Sequence, residues 1–412
     1  MKGRSGEAED VLFLSPEAPF PLAGGGAMRS AGLLRYLADR YTVDFLGFAV
    51  EGGGDPSASL PDGLVRQADT VWLPRHGVSL GERIVRNTSR VIRGRLPLMD
   101  RFSDPIAAAQ AQNILQGRRY RLAVIEHFWC ADYLQMVREA ADLVVLDLHN
   151  VESALHAGCA QTEPWPQRVG HRFFHRRAEQ LERRMFAQFD LVLATSRTDA
   201  ARVRALSPGV LVSVMPNSIP LREVPDVPES EVIAFSGNLE YHPNVSAVRF
   251  FATQVWPGIR RTHNSLVWRL IGKNPHAVQD VVGADPRIEL SGEVSDALPE
   301  IAKAKVVVVP LLAGSGTRVK IVEAWAAARP VISTPIGAEG LPIVDGENIV
   351  LAETPENWMK QVLQLLEDER SRTNLGAAGR VTFERELCWP ATWKALDAVI
   401  PPLAASSRAV AI

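Results

Sequence analysis

The sequence predicts two doubly wound α/β domains, each a parallel sheet covered by helices on both faces, the pair facing a central cleft. Three observations lead there. Short β-branched runs alternate with helix-length stretches along the whole chain. One proline-rich stretch near the middle has no periodicity at all. The 412 residues, 46% hydrophobic and 22% charged, are enough for two or three cores of ordinary globular composition.

Taken in order, the apolar runs Val11–Leu14, Val43–Phe48, Val71–Leu73, Leu122–Glu126, Leu143–Asp147 and Leu191–Ala194 read as buried strands. Helical patterns at Arg29–Arg40, Ala107–Gln116 and Arg172–Gln188 lie between several of them. The second half repeats the scheme with strands at Val232–Ser236, Val267–Ile271, Ile288–Ser291, Val306–Val309, Val331–Ser333 and Ile349–Leu351. Its helices are expected at Val245–Arg260, Val319–Ala328, Glu356–Asp368 and Arg370–Arg385. Continuous apolar strands alternating with helices imply parallel sheets buried on both faces. Between the halves, Pro216–Ser230 holds four prolines, which can continue neither a helix nor a central strand. The expected organisation is therefore a first domain over 1–218, a linker over 219–230, a second domain over 231–385, a returning helix over 386–400 and a tail over 401–412. In such open sheets ligands bind beyond the carboxyl ends of the strands, so both domains would offer loops to one site.

Composition excludes several classes. Net charge is −2, which gives no global pull toward nucleic acid, although 38 of the 45 basic residues are Arg. Cys130, Cys159 and Cys388 are too scattered for a disulfide framework or a zinc site, which fits a reducing compartment. The polar start MKGRSGEAED does not read as a signal peptide, and no run of about 18 apolar residues could span a bilayer. The expected setting is cytoplasmic.

The chemistry concentrates after the strand Val306–Val309. A small-residue loop, Gly314-Ser-Gly-Thr317, leads into a helix near Arg318, and free backbone N–H groups at such a start favour an anion. Arg318 and Lys320 oppose the helix dipole there, an unfavourable placement that an arriving anion would relieve. Glu323 stands one turn and a half further on, where a carboxylate could accept from ribose hydroxyls. The loop is not a Walker A, since no Gly-Lys-Ser/Thr follows, and an ordinary strand–turn–helix with a solvated Arg/Lys pair is the plain alternative.

The stretch from about 230 to 385 resembles the donor-binding domain of family 4 glycosyltransferases with the GT-B fold, the glycosyl transferases of group 1. The resemblance rests on Phe235-Ser-Gly-Asn238, Leu270-Ile-Gly-Lys273, Leu290-Ser-Gly-Glu293, Gly314–Ala324, Pro330–Gly337 and Asp345-Gly-Glu-Asn348, in that order. It implies a GT-B fold of two Rossmann-like domains and a nucleotide-diphosphate-sugar donor. The donor would be held by Gly237, Asn238, Gly292, Gly314, Ser315, Gly316, Thr317 and Glu323. That family usually carries two Glu eight residues apart; Glu323 matches the second, and the first falls on Ser315. Many members also place an Arg just after the first strand of this domain. Here Gly237–Asn244 has neither Arg nor Lys, and Arg318 and Lys320 are expected to supply that charge.

The first half resembles the family more weakly. Gly25 and Gly26, within Leu14–Arg29, stand where glycines near the donor phosphates are expected, and His149, at the end of Leu143–Asp147, where a histidine faces the donor sugar. Glu126-His127 at the end of the preceding strand is a second candidate, and Asn217 matches a Pro-Asn pair at the hinge. A dinucleotide fingerprint competes for the glycines, but Gly24 begins nine positions after Ser15 and Arg29 stands where the last glycine would be. Two arginine-rich stretches, 75–101 and 168–184, either line solvated helices or touch an anionic membrane. No Asp-x-Asp occurs and no metal or other cofactor is expected, the leaving diphosphate being stabilised by cations and helix starts.

The combined expectation is a retaining, metal-independent glycosyltransferase with His149, Arg318 and Lys320 at the reacting groups. Its acceptor would be a polysaccharide or lipid-linked glycan, without nucleic acid and with peripheral contact to an anionic membrane. A nucleotide-sugar epimerase and a non-catalytic nucleotide- or glycan-binding protein are the alternatives; fold alone does not separate them.

Overall fold

The structure, a computed structural model, describes residues 10–22, 24–75, 79, 85, 88–90, 92–162, 165, 167–283, 285–312 and 318–400. The chain divides into two compact units, Met1–Pro216 with Trp393–Ile412, and Asn217–Thr392. Each is a Rossmann-like α/β unit built on a parallel sheet.

The first unit is built on a seven-stranded parallel sheet in the order β3-β2-β1-β4-β5-β6-β7. Its strands are β1 (Asp10–Ser15), β2 (Thr42–Val50), β3 (Gln67–Leu73), β4 (Tyr120–Glu126), β5 (Ala141–Asp147), β6 (Leu191–Ala194) and β7 (Val212–Val214). The helices that matter below are α1 (Gly25–Ala38), α2 (Glu152–Thr162) and α3 (Gln167–Phe186). The central strands are buried along nearly their whole length, as their continuous apolar runs require. β7 was not expected; three residues on an edge give no periodicity to read. β3 begins four residues earlier than its apolar part, because Gln67–Thr70 on the other edge are partly exposed.

The second unit has a six-stranded parallel sheet in the order β10-β9-β8-β11-β12-β13. These are β8 (Val232–Ser236), β9 (Val267–Ile271), β10 (Ile288–Gly292), β11 (Val306–Val309), β12 (Val331–Ser333) and β13 (Val350–Leu351). α4 (His242–Phe250) follows β8, and α5 (Val319–Ala326) follows β11. The helix expected over Val245–Arg260 is interrupted by a π-turn at Phe251–Val255, and Pro257 supplies the reason, since it has no N–H for the helical ladder.

The stretch expected as a linker packs onto the second unit. Ile219 bridges to Cys388, Ser230 N donates to Lys303 O at 2.8 Å, and Glu229 pairs with Arg329 (2.5 Å) and Arg372 (3.2 Å). The final helix, α6 (Trp389–Asp397), begins in the second unit and ends in the first, where Leu396 and Ile400 are buried. Residues 401–412, expected as a tail, lie outside the described residues.

Candidate functional site

In the first unit the parallel register brings three strand ends together. Glu126 stands opposite Asp147, and Leu14 opposite Ile125, so Ser15, Glu126 and Asp147 meet at one edge, all without exposed surface. Ser15 Oγ donates to Glu126 Oε2 at 2.6 Å. Arg29, from the second turn of α1, supplies the compensating charge. Its Nε donates to Asp147 Oδ2 at 2.9 Å, Nη2 donates to Oδ1, and Nη1 donates to Met215 O. Burial would raise the Asp147 carboxyl, but Arg29 and then His149 hold it below its ordinary value.

His149 lies against this group, its Nε2 3.5 Å from Asp147 Oδ2 and 3.7 Å from Glu126 Oε1. Burial acts to lower its pKa, yet the two carboxylates outweigh burial and raise it. Glu126, Asp147 and His149 also hold one ligand atom each within 4.8 Å of one another, a spacing a metal could bridge. Both Asp147 oxygens, however, already accept from Arg29, a fixed cation that opposes a second one. The cluster is better read as two carboxylates balanced by Arg29 and His149.

Gly25 and Gly26 are the first residues of α1, not part of the preceding loop. Gly24, with φ +103°, provides no side-chain cap, so the first N–H groups of α1 are left for another acceptor. A Cβ on Gly26 would lie 3.7 Å from both His149 Nδ1 and Glu17 Oε2, which places the helix start directly beside His149. Sequence reading set Glu126 and His127 behind His149 and missed the roles of Arg29, Asp147, Trp129 and Glu152. The available signal was that Glu126 and Asp147 are both carboxylates at ends of adjacent apolar strands.

In the second unit the loops after β8, β9 and β10 lie side by side. Gly237 N donates to Ile271 O at 2.9 Å, and Gly272 N donates to Gly292 O at 3.0 Å. Gly237 (φ +140°) and Gly272 (φ +149°) are required as glycines: a Cβ on Gly272 would sit 1.9 Å from Gly237 O. Asn238 is fixed by Asn244 Nδ2 donating to its backbone O (2.7 Å) and Asn274 Nδ2 donating to its Oδ1 (3.0 Å).

Lys320 reaches across to this loop. Nζ donates to Asn244 Oδ1 at 2.7 Å, lies 4.7 Å from the centroid of the Phe235 ring, and is 3.1 Å from where a Gly237 Cβ would be. Among the described residues no carboxylate lies within ion-pair distance of it. Burial, with Arg318 adding to it, pushes the ammonium down to about 7. Glu323 accepts from Ser236 Oγ at 3.3 Å, and burial pushes its carboxyl up to about 7. Arg318, buried at the start of α5, turns the other way and donates from Nε (3.4 Å) and Nη2 (3.2 Å) to Ile336 O. Burial lowers its pKa. Gly237, Asn238, Lys320 and Glu323 are thus brought together, with Gly292 adjoining through Gly272. Gly314, Ser315, Gly316 and Thr317 lie outside the described residues. Asn217 opens the second unit.

The basic stretch 75–101 is partly described. Arg90 and Arg93 pair with Asp100 (2.9 and 3.1 Å), Arg95 with Asp132 (2.9 Å), and Arg75 donates to Glu51 O (2.5 Å); Arg83 and Arg86 lie outside the described residues. Local pairing thus takes up part of the charge of this stretch. On α3, the other basic stretch, Phe173 is 41% exposed between the exposed Arg172 and Arg176. No helix among the described residues is long and apolar enough to cross a membrane.

Comparison with known proteins agrees with this picture. Residues 230–368 match the family Glycosyl transferases group 1. An uncharacterized glycosyltransferase of Methanocaldococcus jannaschii, MJ1178, is 34% identical over 108 residues, 25% of this chain and 30% of that protein's length. The fold is similar to sucrose-phosphate synthase of Thermosynechococcus elongatus, with TM-score 0.71, 16% identity and coverage of 95% of this chain and 98% of that one. It is also similar to Anabaena HepE in complex with UDP and glucose (TM-score 0.63, 14% identity, covering 95% and 99%). A third is S. aureus TarM in complex with fondaparinux, alpha-GlcNAc-glycerol and UDP (TM-score 0.65, 10% identity, covering 94% and 99%). The family match is confined to residues 230–368, inside the second unit, and the solved structures are similar to the chain in fold.

Proposed function

We propose that this protein transfers a sugar from a nucleotide-diphosphate-sugar to a hydroxyl acceptor, with retention and without a metal, in the synthesis of a polysaccharide or lipid-linked glycan. The observation that carries this reading is Lys320, a partly buried cation with no carboxylate at its Nζ, beside Gly237 inside the segment that matches the family. A diphosphate arriving there gives Lys320 the counter-charge it lacks, with Arg318 two residues earlier and Glu323 set for the ribose. In the first unit, His149 and the start of α1 offer hydrogen-bond donors of their own. As the leaving diphosphate gains charge, these fixed cations and N–H groups stabilise it electrostatically. Acceptor binding falls to the first unit, at the inner face of the cell membrane.

Ser315, where the family carries a Glu, favours one rival, a non-catalytic nucleotide-binding protein. A thermal-shift titration against UDP, GDP, ADP and TDP, each with and without EDTA, tests the donor site, a ligand at about 100 times its dissociation constant adding about 2.7 kcal/mol. UDP comes first, being present in the HepE and TarM complexes. One nucleotide that stabilises despite EDTA is expected. No shift with any of them would sink the reading, and tight binding without slow hydrolysis of the matching nucleotide-sugar would favour the rival.

A further inference from the structure

Beside His149 stands a column of rings that the proposed transfer does not yet use. His127 and His149 are stacked with centroids 3.5 Å apart and planes at 27°, and His127 and Trp129 with centroids 4.1 Å apart at 22°. The far end is tied down, because Trp129 Nε1 donates to Glu152 Oε1 at 2.9 Å at the start of α2. We propose that His127 is a positioning residue for His149, its ring clamped between Trp129 and His149 so that His149 Nδ1 is held toward Gly26 at the start of α1. The proposal rests on the reading of His149 as a donor-site residue.

The backbone supports it. His127 has φ +59° and ψ 138°, a positive-φ backbone outside the left-handed helical well, of the kind retained where the surroundings enforce it. That turn, at the end of β4, sets the His127 ring against His149 at the end of β5. The polar atoms support it too. His127 Nε2 is buried without a hydrogen-bond partner, so the ring works through its faces and not through that atom. Burial, then His149 and Arg29, keep the His127 pKa well below the usual histidine value. The His149 pKa is raised, so the two stacked rings are shifted in opposite directions. The result is a His149 ring fixed on two sides: Nε2 on the Glu126 and Asp147 side, Nδ1 on the Gly26 side. The groups facing it are Glu126, Asp147, Glu17 and His127, with Glu152 acting on it electrostatically.

His127→Asn and His127→Phe test this in the full chain. Asn removes the ring, whereas Phe keeps a stacking face, both on the same positive-φ backbone. Side-chain NMR of labelled histidine, with the His149 signal assigned by its loss in His149→Gln, reads the ring directly. With His127→Asn the His149 signal is expected to move and its titration midpoint to fall back toward the ordinary histidine value. Donor turnover should lose about tenfold or more in kcat with KM for the donor little changed. His127→Phe restores both. An unchanged His149 signal and midpoint in His127→Asn, or a Phe variant that behaves like Asn, overturns the proposal. Should His127→Asn not fold by melting and near-ultraviolet circular dichroism, Trp129→Phe loosens the stack at Glu152, and an unmoved His149 midpoint there overturns it equally. Wild-type protein that turns over no nucleotide-sugar would refute the transferase reading, while the NMR arm still decides the positioning role.

Discussion

Replacing Lys320 by arginine or methionine should change not only how tightly a nucleotide-diphosphate-sugar binds but how that binding responds to pH. Burial holds the Lys320 ammonium at about 7. At pH 6 it is then about nine-tenths protonated and at pH 8 about one-tenth. A diphosphate that needs the charged form binds about tenfold more weakly at pH 8 than at pH 6, a loss of about 1.4 kcal/mol. The sign follows from proton uptake: an anion raises the Lys320 pKa, so affinity is greatest below 7 and declines above it. Glu323, pushed up to about 7 by burial, ionises over the same range and repels the diphosphate in the same direction; Glu323→Gln removes that part. Calorimetry at pH 6, 7 and 8 reads the slope. The ligand should be the nucleotide-sugar, because a terminal phosphate itself titrates near pH 6. Lys320→Arg keeps its charge throughout and should bind with a flatter pH profile; Lys320→Met should bind weakly and also with a flatter profile. Identical slopes for wild type and Lys320→Arg would refute the assignment of Lys320 to the diphosphate.

Three other outcomes follow. Asp147→Asn leaves the fully buried Arg29 without its carboxylate and should cost about 3–5 kcal/mol in urea unfolding of the first unit; a loss below about 1 kcal/mol would contradict the pairing. Gly272→Ala drives a Cβ against Gly237 O and should lower the melting temperature while abolishing nucleotide stabilisation, so a variant that still responds to nucleotide would show the loops are not coupled. Glu152 and Glu182 are both pushed up to about 7 by burial. Folded protein then holds protons that the unfolded chain releases near 4.5, so their stabilisation is present below about 4.5 and lost as pH rises through about 7. Thermal melts at pH 5 and pH 8 should differ less in the Glu152→Gln/Glu182→Gln variant, and an unaltered difference would exclude these two as the cause.

How far the sequence reveals this molecule depends on the range of the interactions involved. β1, β4, β8 and β11 are continuous apolar runs, and their burial is written into residue type, so strand and sheet class could be read directly. β7 and the first half of β3 are held by neighbours and not by their own pattern, and were missed or shortened. At the site, Lys320 and Glu323 were legible because they lie on one helix. Asn244, Asn274 and Phe235 were not, because their contacts with Lys320 and Asn238 join residues 36 to 85 positions apart. Arg29 was read as a mismatch in a glycine motif, and its pairing with Asp147, 118 residues away, gives no local signal.

The last helix of the chain carries a consequence for synthesis. Trp393 Nε1 donates to Gly32 O at 3.0 Å and its ring packs on Tyr36, so α1 is covered by residues made after the whole second unit. A ribosome finishing Pro216 must still add the 176 residues of Asn217–Thr392 before Trp393 exists. At cellular elongation rates that leaves one side of α1 bare for about 10–35 s. A premature stop anywhere in the second unit therefore leaves the first unit, already translated, without its final turn of core. The first unit is closed only after the second has been made.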